Sequence, residues 1–113
     1  MITPGDDLLS PVDPTVAFDA VEAVTGARAA MYGHPYVDFL KVSLMWESIF
    51  GIPVTPEQVG LAMICVKLAR QCNTHARDNL VDIIGYALTV DACVQTQERH
   101  DRRSDTIGHP ASF

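Results

Sequence analysis

The tetrapeptide Thr55-Pro56-Glu57-Gln58 and the run behind it restrict this chain more than any other feature. A threonine placed to accept a backbone N–H is followed by a proline whose missing N–H is not needed at the first helical position. An acid then sits in the first turn, and a glutamine three residues after the threonine completes the pattern of a helix start. Beyond it Val59, Leu61, Ala62, Met63, Ile64, Cys65, Val66, Leu68 and Ala69 make the helix apolar on nearly all sides. A short bundle cannot cover every one of those faces alone, so part of this surface is expected to meet another copy of the chain.

The remaining punctuation also reads as helical. Asp13-Pro14 offers a cap and a proline suited to a first turn, and a first helix is expected to run from there to about Tyr32. Gly33-His34-Pro35 breaks it. Phe39, Val42, Trp46, Ile49 and Phe50 then follow helical spacing up to Gly51, a plausible C-terminal stop. The third helix runs from Thr55 to about Gln71, and Cys72-Asn73-Thr74-His75 connects it to a fourth from about Ala76 to about Glu98. No alternating strand pattern and no fixed repeat interrupts this reading. The expected fold is all-α, a short up-and-down bundle of four helices over residues 13–99, with 1–12 as a flexible lead and 100–113 as a flexible tail.

Composition narrows the classes of function. At 113 residues the chain fits one domain, and 48% hydrophobic residues against 19% charged exceeds what a small monomer needs. A homo-oligomer, dimer or tetramer, is therefore expected. The net charge of −6 argues against a nucleic-acid backbone or an anionic membrane as partner, since both demand a basic face. Nucleotides escape that objection, because a few cations neutralise them locally. The longest apolar stretch, Val59 to Val66, ends at Lys67 and is too short to span a bilayer. With no secretory pattern in the first residues and three cysteines all within helical stretches, a cytoplasmic location with reduced thiols is expected.

The chemistry concentrates at the third and fourth helices. Asp78 and Asp82 are four apart, so both carboxylates can share one face with Asn79 and Tyr86 close by. Such a pair repels itself unless a cation relieves it, and Mg2+ with a nucleotide's phosphates is one candidate. The alternative is that Asp78 complements the helix dipole while Asp82 is solvated. Lys67 and Arg70 lie three apart on the preceding helix, and a short connection should bring them antiparallel to Asp78 and Asp82. Lys67 either snorkels to solvent or meets those carboxylates inside the bundle. Arg28 and Tyr32 close the first helix, as a phosphate ligand and a cover for a base, or as a helix-end cation and a tyrosine under the turn. Trp46 and Phe50 read as core or interface.

Taken together, Arg28-x-x-x-Tyr32-Gly33-x-Pro35, Lys67-x-x-Arg70 and Asp78-Asn79-x-x-Asp82-x-x-Gly85-Tyr86 resemble a group of small phage and prophage proteins. That group is in turn distantly similar to the MazG-like all-α nucleotide pyrophosphohydrolases, which include dimeric dUTPases and phage dATP/dGTP diphosphohydrolases. The resemblance implies a MazG-like bundle, Mg2+ held through Asp78 and Asp82, and a nucleotide contacted by Arg28, Tyr32, Lys67, Arg70, Asn79 and Tyr86. It also has two departures: Asn79 stands where the superfamily's second acidic motif has a glutamate, and Lys67 and Arg70 occupy the stretch of the first. No residue is assigned as the base for water attack. Three readings follow: a Mg2+-dependent (d)NTP pyrophosphohydrolase, a non-catalytic protein that binds or sequesters a nucleotide, and a structural helical oligomer of a phage.

Overall fold

The helix start at Thr55 forms as its residues dictate. Thr55 Oγ1 accepts from the Gln58 N–H at 3.1 Å, and Gln58 Oε1 accepts from the Thr55 N–H at 3.0 Å, so two otherwise orphaned donors are satisfied reciprocally. In the computed structural model, which describes residues 8–107 and leaves the side chains of Arg28, Thr106 and Ile107 undescribed, five helical segments follow one another. They are α1 (Thr15–Thr25), α2 (Ala27–Tyr32), α3 (Pro35–Phe50), α4 (Pro56–Asn73) and α5 (Arg77–Ile107), and no strand occurs among the described residues. The all-α expectation holds.

Two boundaries differ from the sequence reading. The single first helix is two, because the chain breaks at Gly26, where a Cβ would sit 2.7 Å from the Glu22 carbonyl oxygen. The last helix continues to Ile107, well into the stretch read as a tail. No apolar stripe holds this extension. Instead Gln97 Nε2 donates to Asp101 Oδ1 at 3.0 Å, the Tyr36 hydroxyl donates to Gln97 Oε1 at 3.2 Å, and the Tyr36 and His100 rings meet edge to face at 5.5 Å. Polar pairs four apart and one aromatic anchor sustain a helix that hydrophobic periodicity does not announce. Residues 1–7 and 108–113, the outer parts of the expected lead and tail, lie outside the described residues.

The other stops behave as read. Gly51 ends α3 at φ +70°, and Gly33 ends α2 at φ +77°, both in the region that favours glycine. His34 then caps α3, its Nδ1 accepting from the Tyr36 N–H at 3.0 Å, with Pro35 at the first position. Glu47 Oε1 accepts from the Val54 N–H at 2.9 Å and ties the α3–α4 turn back onto α3.

α5 is the mast of the fold. At roughly 1.5 Å per residue its 31 residues reach about 46 Å, and α1, α3 and α4 all pack on it, α4 most extensively. Arg77 at its start bonds α1 twice, through Asp19 Oδ2 at 2.6 Å and Thr15 Oγ1 at 3.2 Å. The core proper is small: Phe39, Val59 and Cys93, with Tyr36, Val42, Trp46, Val54 and Tyr86 packed around them. Trp46 thus belongs to the core, whereas Phe50 is exposed. Burial pushes the Cys93 thiol above its ordinary range, and the Glu57 carboxylate adds to the effect.

Gly60 sets how near α4 comes to its neighbours. A Cβ built there would lie 2.5 Å from Val90 Cγ2 and 3.1 Å from Phe39 Cε2, so the helix backbone itself fills the space between α5 and α3. Gly85 is different: a Cβ there would meet only Val24 Cγ1, at an ordinary 3.4 Å. Gly60→Ala is accordingly expected to destabilise by about 1–3 kcal/mol through overpacking. Gly85→Ala is expected to be neutral or to stabilise by up to about 1 kcal/mol through helix propensity. Urea denaturation of the two variants checks this contrast, and equal effects would contradict it.

Candidate ligand pocket

The antiparallel packing of α4 on α5 fixes which side chains can meet. Gly60 lies against Val90; two turns further along α4 and two turns back along α5, Lys67 reaches Asp82; one more turn on, Gln71 reaches Asn79. The Lys67 Nζ to Asp82 Oδ2 distance is 2.7 Å, with the lysine side chain 15% exposed and the aspartate 41%. The lysine's stem is therefore covered while its ammonium is held at the inner edge of α5. Of the two sequence readings of Lys67, contact with a carboxylate in the bundle is the observed one.

This ion pair stands in the wall of an open-mouthed cavity of about 210 Å³ lined by all five helices. α5 contributes Asp82, Gly85, Tyr86 and Thr89; α2 and its terminal Gly33 contribute Ala29 and Tyr32; Asp38 and Phe39 come from the start of α3, and Ala23 and Val24 from α1. Space exists because small residues face it from three directions, Ala23, Ala29, Gly33 and Gly85. The Phe39 and Tyr86 rings lie 6.3 Å apart, tilted by 32°, so one aromatic wall continues directly into the core. Thr89 turns its hydroxyl back to the Gly85 carbonyl at 2.9 Å. The charged lining is thus one cation against two carboxylates, Asp38 and Asp82.

Four of the residues singled out in the sequence, Tyr32, Lys67, Asp82 and Tyr86, meet on this cavity. Asp78, Arg70 and Asn79 stand apart from its lining. Asp78 is exposed in the first turn of α5, where it complements the helix dipole, and Arg70 is exposed in the last turn of α4. Asn79 is only 8% exposed and donates to Gln71 Oε1 at 3.2 Å, the same oxygen that accepts from the Ala76 N–H at 3.2 Å. Its amide closes the α4–α5 turn. The backbone of Arg28 belongs to α2, but its side chain lies outside the described residues. Asp38 is the wall residue that sequence reasoning missed: in the first turn of a helix an acid reads as a dipole partner, and only the α2–α3 turn reveals that it faces the cavity.

The donors present do not fit a resident Mg2+. Asp82 is engaged by an ammonium, Asp78 lies away from the cavity, and no group of three or more His, Cys, Asp or Glu side chains able to hold an ion occurs among the described residues.

Comparison with known proteins places the chain. The model of a family described as a domain of unknown function, DUF6378, matches residues 15–96. The chain belongs to this family. The DUF6378 match begins at the first residue of α1 and ends inside α5, so it takes in every element that walls the cavity. Gene 55 protein of Mycobacterium phage L5 is 37% identical over 70 residues, which cover 60% of this chain and 45% of that protein. Gene 55 protein of Mycobacterium phage D29 is 30% identical over 91 residues, 79% of this chain and 60% of that protein. The chain spans about half the length of these curated relatives. No solved structure matches it. Neither the family description nor the relatives' names specify a ligand or reaction, so the MazG-like resemblance rests on the residues alone. No helix among the described residues is long and apolar enough to cross a membrane.

The Lys67–Asp82 pair lies between an exposed bridge and a buried one, so Asp82→Asn is expected to cost about 1–2 kcal/mol by stranding the largely covered lysine. Replacing both partners with apolar residues, Lys67→Met with Asp82→Leu, is expected to restore most of that loss. Thermal melts of the single and double variants measure the coupling, and purely additive effects would show that the pair contributes nothing.

Proposed function

We propose that this protein binds a nucleotide without hydrolysing it, holding the base in the cavity between Tyr32, Tyr86 and the Lys67–Asp82 pair. The single observation that carries the reading is the convergence of those four side chains, from three helices, on one cavity. The cavity is smaller than the roughly 300–1,000 Å³ of sites that bury whole drug-sized ligands, so it suits one ring system with the rest of the molecule outside. Aromatic rings offer stacking surface, and the Asp38 and Asp82 carboxylates accept from the amino edge of a base. Phosphates would lie at the mouth, toward the exposed Arg70 one turn beyond Lys67.

Binding is preferred to hydrolysis because of charge. A pyrophosphohydrolase needs carboxylates free to hold Mg2+ near the scissile phosphate, and here the matching aspartate is neutralised by a lysine. The similarity to phage proteins fits action in the cytoplasm of an infected host, where nucleotides are plentiful. The MazG-like resemblance supports nucleotide association as the ligand class while its acidic motifs are altered in this chain.

The test is a panel of NTPs and dNTPs, with and without Mg2+, followed by thermal shift and pyrophosphate release together. A melting temperature raised by several degrees at saturating ligand, independent of Mg2+ and without pyrophosphate, is the expected outcome. Tyr86→Ala is expected to weaken binding about five- to thirtyfold, as loss of a stacking face worth about 1–2 kcal/mol requires. Pyrophosphate release would establish the hydrolase instead, and a flat response to every nucleotide would remove the proposal.

A further inference from the structure

The outer side of α3 carries a surface that the pocket does not explain. Val37, Leu40, Leu44, Met45 and Ile49 recur at helical spacing opposite the buried Phe39 and Ser43, and Ile52 extends the patch past the Gly51 turn. Their exposure runs from 37% for Leu40 and 51% for Val37 to 63% for Met45 and 71% for Ile49. From typical side-chain areas these six residues present about 600 Å² per copy, at the upper end of the largest apolar patch on an ordinary monomer. Two such patches brought together would bury about 1,200 Å², the lower bound of stable, specific interfaces.

Charge decides both the occupant and its direction. Of α3's charged residues, Asp38 lines the cavity and Glu47 accepts from the Val54 N–H, so Lys41 is the charge left on the outer stripe. We propose that two copies of this chain pair through the outer face of α3, antiparallel, about a twofold axis passing between Leu44 and Met45. In that register Leu44 meets the partner's Met45, Leu40 meets the partner's Ile49, and Lys41 meets the partner's Ser48. Apolar residues face apolar residues, and each lysine faces a hydroxyl. A parallel pair would set Lys41 against the partner's Lys41, a like-charge contact within an apolar seam. The patch is self-complementary under a twofold axis, as a closed dimer requires. Phe39 keeps the cavity on the opposite face of α3, while Asp38, seven residues before Met45, stands at the edge of the seam, so the pairing is tested without nucleotide.

Sedimentation velocity on the full chain, without ligand, tests the pairing. The parent is expected to sediment as a dimer at micromolar concentration, and Leu44→Asp as a monomer with unchanged helical circular dichroism, since Leu44 is exposed in the single chain. Ser48→Glu would face the partner's Lys41 and is expected to tighten the dimer, whereas Ser48→Lys is expected to raise its Kd at least tenfold. A monomeric parent would overturn the proposal, as would a dimer indifferent to Leu44→Asp. A dimer sensitive to Leu44→Asp but shifted equally by both Ser48 substitutions would overturn the antiparallel register.

Discussion

Everything in this fold depends on how α4 lies along α5. Gly60 removes the side chain that would hold the two helices apart, Val59 beside it is buried to 1% exposure, and the close approach fixes the register for the rest of the hairpin. With Gly60 set against Val90, Lys67 falls on Asp82 and Gln71 on Asn79. Each contact is modest alone. Together they place one cation and one carboxylate at a defined point on the inner face of α5, where α1, α2 and α3 leave a cavity.

That arrangement explains why a chain with few fully buried apolar side chains among its described residues still builds a pocket. α5 provides a long wall, and the shorter helices pack against it from several sides. The pocket is roofed by the α2–α3 turn, where Gly33 takes a left-handed conformation and His34 caps the next helix, so Tyr32 and Asp38 arrive from either side of one tight reversal. A break at Gly26 lets α2 turn away from α1 and bring Ala29 to the same space.

Much of this was legible in the sequence where the signal was local. The capping box at Thr55, the stop at Gly51 and the break at Gly33-His34-Pro35 follow from the chemistry of those residues alone. The Lys67–Asp82 contact was also within reach, because a short connection forces antiparallel helices and the charges then lie at matching distances from the turn. What escaped depends on tertiary context. The resemblance sets Asn79 in a ligand position, and the turn shows what sequence does not: its amide donates to Gln71. The break at Gly26 carries no neighbouring proline of the kind that marks Gly33-His34-Pro35, and the helical stretch past Arg99 read as a tail because polar pairs four apart leave no apolar periodicity. Asp38 could not be assigned to the cavity before the path of the chain around Gly33 was known.

Amide chemical-shift mapping of the uniformly 15N-labelled protein during titration with dATP and dCTP, in the absence of metal, tests the central claim most directly. If the cavity between α2, α3 and α5 is the ligand site, the largest shifts will cluster at residues 29–39 and 81–89 together with Lys67, and will saturate along one binding curve. Shifts confined to Arg70, Asp78 and the exposed turn between α4 and α5, or no saturable shifts at millimolar nucleotide, would contradict the account.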